Sequence, residues 1–330
     1  MKSVLFRQPG GPEVLELVDA PAPTPGPGQV VIRARAMAVS KPDVLIRKGL
    51  YTWSPPLPAN PGNELAGIIE SVGAGVTGFT PGQRALLSAR ELSARGGCYT
   101  ELIAVPAAAV HPLPDAVDLE QAVVLPTYVV AYAMLRELGI ATHARTIFVA
   151  GAAGGVGSAL ADVARSLDIE VIGTVSSDEK AAYARRQGAT HTINYKSESL
   201  LERVMALTRG RGVDASFDHV IGPGFIDCIR MLADFGTAVA YNVFSPMPEQ
   251  DVFGEMRKLS TRSPALRVFN VHTYDHDRPA LHRIMGELIE LLAQRKINPE
   301  VGARFPMSQV AQAHRLFESG GVLGKVVLTA

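Results

Sequence analysis

Cysteine is nearly absent: Cys98 and Cys228 are the only two in 330 residues, far apart and in unrelated contexts. Two thiols cannot build a disulfide framework or a cysteine zinc site, and they suit a reducing compartment. Excess charge is missing too, with 32 basic residues against 32 acidic ones. Such a balance gives no electrostatic reason to bind nucleic acid or an anionic membrane surface. The opening MKSVLFRQPGGPEVLEL has no apolar signal run. No segment approaches the ~20 uninterrupted apolar residues of a membrane-spanning helix. Internal repeats and low-complexity segments are also lacking. The expectation is a cytoplasmic protein acting on small molecules, with no nucleic-acid or membrane partner.

What is present is a large apolar fraction, 47%, enough for a sizeable core in a chain whose length favours two domains. Up to about residue 117 short apolar runs (KSVLF, VLELVDA, QVVIRARAMAV, ELAGIIESVG, QRALLSA, YTELIAV) alternate with breakers such as PAPTPGPG. That pattern predicts a mostly antiparallel β-domain. From about residue 118 the rhythm changes. Asp118 and Gln121 form a capping pair that opens a helix expected to run to about Gly139. TIFVA, EVIGTV, HTINY, VDASFDHV, GTAVAYN and ALRVFNV then follow as strands, the first three each leading into a helical stretch. Apolar strands in this alternation predict a parallel, doubly wound sheet. Helices near 280–295 and 308–318 and the strand KVVLT close the chain.

The stretch FVAGAAGGVGSAL, residues 148–160, carries the chemistry. Ala152-Ala153-Gly154-Gly155-Val156-Gly157 fits a dinucleotide fingerprint, with Ala152 in the first glycine's place. Glycines there keep the turn tight and let the backbone approach a pyrophosphate, while the helix N-terminus offers unpaired N–H groups. Tight turns also use glycine, but this one follows a strand, opens a helix and heads a series of β/α units. The next strand ends in Ser176-Ser177-Asp178-Glu179-Lys180. Hydroxyls stand where a carboxylate would repel a ribose 2′-phosphate, and Lys180 is close by, so NADPH is expected. Asp178 and Glu179 argue against it, but the first helical turn favours acids for structural reasons.

Taken together, the chain resembles the medium-chain dehydrogenase/reductase superfamily, and within it the zinc-independent quinone oxidoreductases of the zeta-crystallin type. GGPEVLEL, KPDVLIRKGLY at 41–51, NPGNELAGIIESVGAGVTGFTPGQR at 60–84, AGAAGGVG at 150–157, GATHTINY at 188–195 and GKVVLT at 324–329 carry the likeness. It implies an α/β fold: a Rossmann doubly wound domain, 118–274, and a β-rich GroES-like catalytic domain formed by both chain ends, 1–117 and 275–330. It further implies a homodimer that binds NADPH. The pyrophosphate would lie on Gly154, Gly155, Val156 and Gly157, and the 2′-phosphate on Ser176, Lys180 and Tyr195. Asn242, after GTAVAYN, would lie near the nicotinamide.

Zinc-dependent members of that superfamily carry a cysteine where Ser40 stands and a His-Glu pair where Asn63-Glu64 stand. Hydroxyl and amide are poor zinc ligands, so no metal is expected. His272, His276, Asp275 and His282 form another candidate group, but HTYDHDRP reads better as a polar surface loop. Without a Lewis acid, simple alcohol oxidation is disfavoured. Hydride transfer to a quinone remains, or to the double bond of an enone or enoyl thioester. A non-catalytic NADPH-binding interaction protein is the reading of another class.

Tyr51 and Ser40 are the catalytic candidates. The Tyr51 phenol would hydrogen-bond a substrate carbonyl or relay a proton; alternatively Tyr51 and Trp53 form an apolar loop wall. Asp43 reads as a structural cap. Leu45 and Val130 stand where the resembled enzymes often carry hydroxyls. Cys98 reads as a packed strand residue, and His219 either lines the cofactor or is structural.

Overall fold

The run QVVIRARAMAV becomes the longest strand, and what it pairs with sets the first unit. The computed structural model describes residues 1–222, 224–241 and 248–330. Strands β1 (Lys2–Leu5) and β2 (Glu16–Asp19) pair antiparallel, while β3 (Gln29–Val39), β4 (Glu64–Val72), β5 (Arg84–Ser88), β6 (Leu102–Pro106) and β7 (Val110–Pro112) belong to a larger sheet. Five further strands and one from 232 form the second unit: β8 (Thr146–Val149), β9 (Glu170–Val175), β10 (His191–Asn194), β11 (Val213–Asp218), β12 (Leu232–Tyr241) and β13 (Ala265–Phe269). The chain end returns to the first unit with β14 (Val301–Pro306) and β15 (Lys325–Thr329).

The large sheet of the first unit runs β14-β15-β3-β4-β5-β7, with β6 also on β3. Antiparallel pairing of β15 on β3 (Val327 opposite Ala38) joins the two chain ends, as both-ends assembly requires. One face of this sheet holds Val30, Ile32, Met37, Leu65, Ile69 and Leu328 in a common core. Each such side chain contributes about 1.5–3 kcal/mol by leaving water.

In the second unit the order is β10-β9-β8-β11-β12-β13, parallel throughout. All six expected strands are present, and the doubly wound sheet and GroES-like domain are those anticipated. Strand order reverses between β8 and β11, so the carboxyl ends of these two strands flank the topological switch point, where α/β sheets bind ligands.

Two compact units result: Met1–Pro126 with Asp275–Ala330, and Thr127–Tyr274. The first division falls after Pro126 rather than after residue 117 because the helix Leu119–Ala122 packs on β3, β4 and β5. The Asp118 carboxylate accepts the Gln121 N–H at 3.0 Å, the anticipated cap. The expected continuous helix to Gly139 is instead two short helices, Leu119–Ala122 and Leu125–Tyr132, followed by a π-helical turn. Pro126, which has no N–H to give, stands at the start of the second. HTYDHDRP is not an irregular loop either: Val271–His276 is a 3-10 helix and Arg278–Ala293 an α-helix capped by Asp277. Among the described residues no helix is long and apolar enough to cross a membrane.

Candidate functional site

In the second unit, β8 ends in a turn that only a small residue can make. Gly151 takes φ +66°, and a Cβ there would lie 2.8 Å from His219 Cε1. The turn's glycine is therefore Gly151, not the position of Ala152. Ala152 is instead fully buried, and a Cβ on Gly173 of β9 would come within 2.4 Å of its own Cβ. Two hydrogen bonds tie the turn to β9: Gly151 N–H donates to Thr174 Oγ1 at 2.8 Å and Ala152 N–H to Thr174 O at 3.0 Å.

The helix Gly155–Arg165 begins immediately afterwards, with no side chain capping it. Its first-turn N–H groups, including those of Gly155, Val156 and Gly157, have no partner within the helix and carry the positive dipole end. Gly154 and Gly155 are exposed, Val156 is half-buried and Gly157 is buried. A Cβ on Gly157 would meet Gly151 O at 2.3 Å, whereas one on Gly155 would find nothing nearer than Thr127 Cγ2 at 3.7 Å. Packing demands glycine at 157; at 155 the protein itself leaves room, and the backbone stays bare towards solvent. The four residues thus form an open anion cradle.

The far edge of this unit gathers the other predicted contacts. Pairing of β10 with β9 sets Asn194 beside Val175, and the Tyr195 N–H donates to Val175 O at 3.2 Å. Tyr195, 53% exposed, thus stands beside Ser176. Ser177 caps the helix Asp178–Arg186, its Oγ accepting the Lys180 N–H at 3.3 Å. Among the described residues the Lys180 ammonium makes no ion pair. Asn242 lies outside the described residues.

Sequence reasoning left His219 open. It follows β11 at the switch point, its ring 5.7 Å from that of Tyr241 and packed against the Gly151 turn. Burial lowers its pKa, against the pull of Asp218, so it is neutral at pH 7. Its place beside Gly151 is a non-local fact that spacing does not reveal.

The first unit holds a buried polar cluster around Ser40. As the N-terminal cap of the helix Lys41–Arg47, Ser40 donates both its N–H (2.7 Å) and its hydroxyl (2.6 Å) to Asp43 Oδ2. Asn63 Nδ2 donates to Asp43 Oδ1 at 2.6 Å. Asp43 is fully buried; burial raises its pKa while these three bonds hold it down. Ser40 and Asn63 are therefore turned onto Asp43, with the Ser40 hydroxyl proton committed there. Next to them Glu64 meets Lys325 Nζ at 2.8 Å, both nearly buried. Burial above all, with Asp43 adding to it, raises the Glu64 pKa to about 7 against the pull of Lys325. Lys325, at the start of β15, was not foreseen as a site residue, although GKVVLT was part of the resemblance.

Tyr51 is half-buried, its ring 5.3 Å from that of Trp53. Burial raises its pKa, opposed by Arg90 and Arg95. Those two guanidiniums both pair with Asp275, at 2.6 and 2.8 Å. The three groups carry one net positive charge between them. Tyr51 thus packs beside Trp53 and lies in the field of Arg90, Arg95 and Asp275. Cys98 is buried, and its thiol is pushed well up by burial, so it is packed as expected, although it lies in the loop between β5 and β6 rather than in a strand.

Comparison with known proteins bears on both units. Residues 26–115 match the alcohol dehydrogenase GroES-like domain model and residues 187–328 a model described as zinc-binding dehydrogenase. A quinone oxidoreductase of Pseudomonas aeruginosa is 33% identical over 332 residues, covering 99% of each chain. Among solved structures, a quinone oxidoreductase of Pseudomonas syringae pv. tomato superposes with TM-score 0.84 at 31% identity, over 100% of this chain and 99% of that one. The Escherichia coli quinone oxidoreductase complexed with NADPH gives TM-score 0.82 at 28% identity, over 100% of both.

Proposed function

Since the chain belongs to the zeta-crystallin-like quinone oxidoreductase branch of the medium-chain dehydrogenase/reductase superfamily, we propose that it is an NADPH-dependent oxidoreductase acting on a quinone without catalytic zinc. The observation that carries this reading is the pairing of the bare glycine cradle with a strand end bearing Ser176, Lys180 and Tyr195. Gly154, Gly155, Val156 and Gly157 would hold the pyrophosphate, and the Lys180 ammonium with the two hydroxyls would hold the 2′-phosphate. When bound, NADPH supplies a hydride from its nicotinamide. His219, neutral and seated at the switch point, shapes the wall along which the dinucleotide crosses the sheet.

The donors at the zinc-dependent relatives' ligand positions do not fit zinc. The Ser40 hydroxyl and the Asn63 amide nitrogen are both given to Asp43, and the Lys325 ammonium already occupies the cation's place beside Glu64. No step of the chemistry therefore runs through a metal at that cluster. Ser40 serves by holding Asp43 and the start of its helix in place.

Reducing a quinone to a hydroquinone adds one hydride and one proton, and one oxygen becomes negative on the way. Tyr51 is suited to that oxygen. Burial keeps its phenol protonated at neutral pH, so it donates a hydrogen bond and can pass its proton, which solvent replaces. The net positive charge of Arg90, Arg95 and Asp275 favours the developing anion. Positioning of the two reactants supplies the remaining acceleration.

The test is NADPH and NADH oxidation against 1,4-benzoquinone, 9,10-phenanthrenequinone, an α,β-unsaturated ketone and crotonyl-CoA, with and without EDTA. Quinone turnover by NADPH that EDTA leaves intact supports the proposal. Turnover of the enone or crotonyl-CoA alone replaces the substrate class. Silence with all acceptors despite NADPH binding establishes a binding protein instead.

A further inference from the structure

Outside this chemistry the first unit brings together three metal-ligating side chains from distant parts of the chain. Glu91 closes the 3-10 turn Ala89–Glu91 after β5, His111 sits in β7, and His282 lies in the first turns of the helix Arg278–Ala293. Glu91 and His111 are buried; the His282 side chain is 37% exposed. The two imidazoles approach one carboxylate from opposite oxygens: His111 Nε2 is 2.5 Å from Oε1, and His282 Nε2 is 2.5 Å from Oε2.

We infer that Glu91, His111 and His282 bind one divalent transition cation, zinc by the nature of its ligands. Two imidazole nitrogens and a carboxylate are a recurrent zinc donor set. Their donor atoms all lie within 4.8 Å of one another, a spread that bonds of ~2.0–2.2 Å to one ion reach with small shifts. A second observation is independent of residue type. Glu91 Oε2 is buried, and its one close partner among the described residues is the His282 Nε2 at 2.5 Å, a contact without hydrogen-bond geometry. Buried polar atoms are seldom left without a well-aligned partner, and an ion held by all three side chains would satisfy this oxygen and both imidazoles together. The adjacent Arg90 guanidinium does not oppose a cation unaided, because Asp275 faces it. Arg278 fixes the turn by donating to the Glu91 backbone oxygen at 2.6 Å. Partial exposure of His282 leaves solvent a way in, from which a water would serve as the fourth ligand. His282 belonged to the group expected to form a loop, but its partners come from β5 and β7 rather than from His272 or His276. A cation here would tie the chain's last third to its first and act as a staple, separate from the hydride chemistry.

The experiment uses the untagged full-length protein, stripped with EDTA, returned to metal-free buffer and titrated with zinc chloride against a chromophoric chelator, with Tm followed in parallel. The expected result is one zinc per chain and a Tm that climbs with zinc. His282→Ala, at a half-exposed helix position, weakens binding at least ~10-fold, the lower end of what even an outer partner of a metal ligand is worth. His276→Ala, at an exposed position outside the cluster, leaves it unchanged. Should His282→Ala not fold, Glu91→Gln replaces it as the near-isosteric variant. Wild-type protein that takes up no zinc, or a His282→Ala variant that takes it up equally well, overturns the inference. EDTA-resistant quinone turnover does not bear on this site, so the two proposals fail separately.

Discussion

A methyl group at position 155 would meet nothing in the protein closer than 3.7 Å, whereas at position 157 it would sit 2.3 Å from a carbonyl oxygen. The two glycines therefore do different work, and substitution separates them. Gly155→Ala should leave Tm unchanged and raise the KM for NADPH roughly 10- to 100-fold, as expected when a ligand is displaced by about an ångström. Gly157→Ala should cost about 1–3 kcal/mol of stability from overpacking, seen as a lower Tm before any kinetic effect. Glu64 offers a titration instead. A carboxyl with a raised folded pKa holds its proton more tightly folded than unfolded. Its contribution is then fully present below pH 4.5 and lost as pH rises through about 7. A shift from 4.5 to about 7 corresponds to on the order of 3 kcal/mol. Melts at pH 5, 6, 7 and 8 should show wild-type stability falling across that window, and Glu64→Gln flattening the slope. At this scale sequence pattern and structure part company in an instructive way. The cradle residues were legible because fingerprint spacing is local. Gly151 was not distinguished from Ala152, since the motif tolerates either register and only φ decides. Lys325 and the Glu91–His111–His282 group were hidden because their members meet only after β15 and the helix Arg278–Ala293 have folded back.

Among the elements, the helix Lys41–Arg47 shows how a short piece of secondary structure is fixed. Its last residue, Arg47, has no exposed surface, yet it donates to Gly10 O at 3.1 Å, contacts His314 Nδ1 at 3.1 Å and pairs with Glu318 at 2.7 Å. His314 and Glu318 belong to the helix Val310–Ser319, so one side chain joins the two ends of the chain. The same guanidinium, after burial, holds the His314 pKa down at about 3. Arg47→Met should therefore cost roughly 3–5 kcal/mol, as when one partner of a buried charged network is removed, and thermal or urea unfolding would measure it. Period-two and helical patterns revealed every strand of the parallel sheet and the Asp118 cap. They did not reveal the break between Ala122 and Leu125, because the stretch QAVVLPTYVVAYAML is apolar all round and gives no phase from which to read an interruption.

For the molecule as a whole, the homodimer that the resemblance implied would have a place to form at the exposed edge of the parallel sheet. Strand β13 ends the sheet, with Val268 74% exposed and Leu266 40% exposed. An open apolar edge strand invites pairing with a second copy. Sedimentation of wild type and Val268→Lys tests this: a wild-type dimer that the added charge shifts towards monomer is the expected result, and a monomeric wild type contradicts it. Two-domain organisation was legible from the change of rhythm near residue 118, while the handover after Pro126 depended on packing. The central claim concerns the cofactor and acceptor together, and one comparison tests it most directly: kcat/KM for NADPH and for NADH with 1,4-benzoquinone as acceptor, in wild type and Lys180→Ala. Loss of a charge-assisted contact of about 1.5–3 kcal/mol translates to roughly 10- to 100-fold. The account predicts that wild type favours NADPH by about that factor and that Lys180→Ala removes the preference while leaving NADH turnover unchanged. Equal or better use of NADH by the wild type, or a preference indifferent to Lys180, would contradict it.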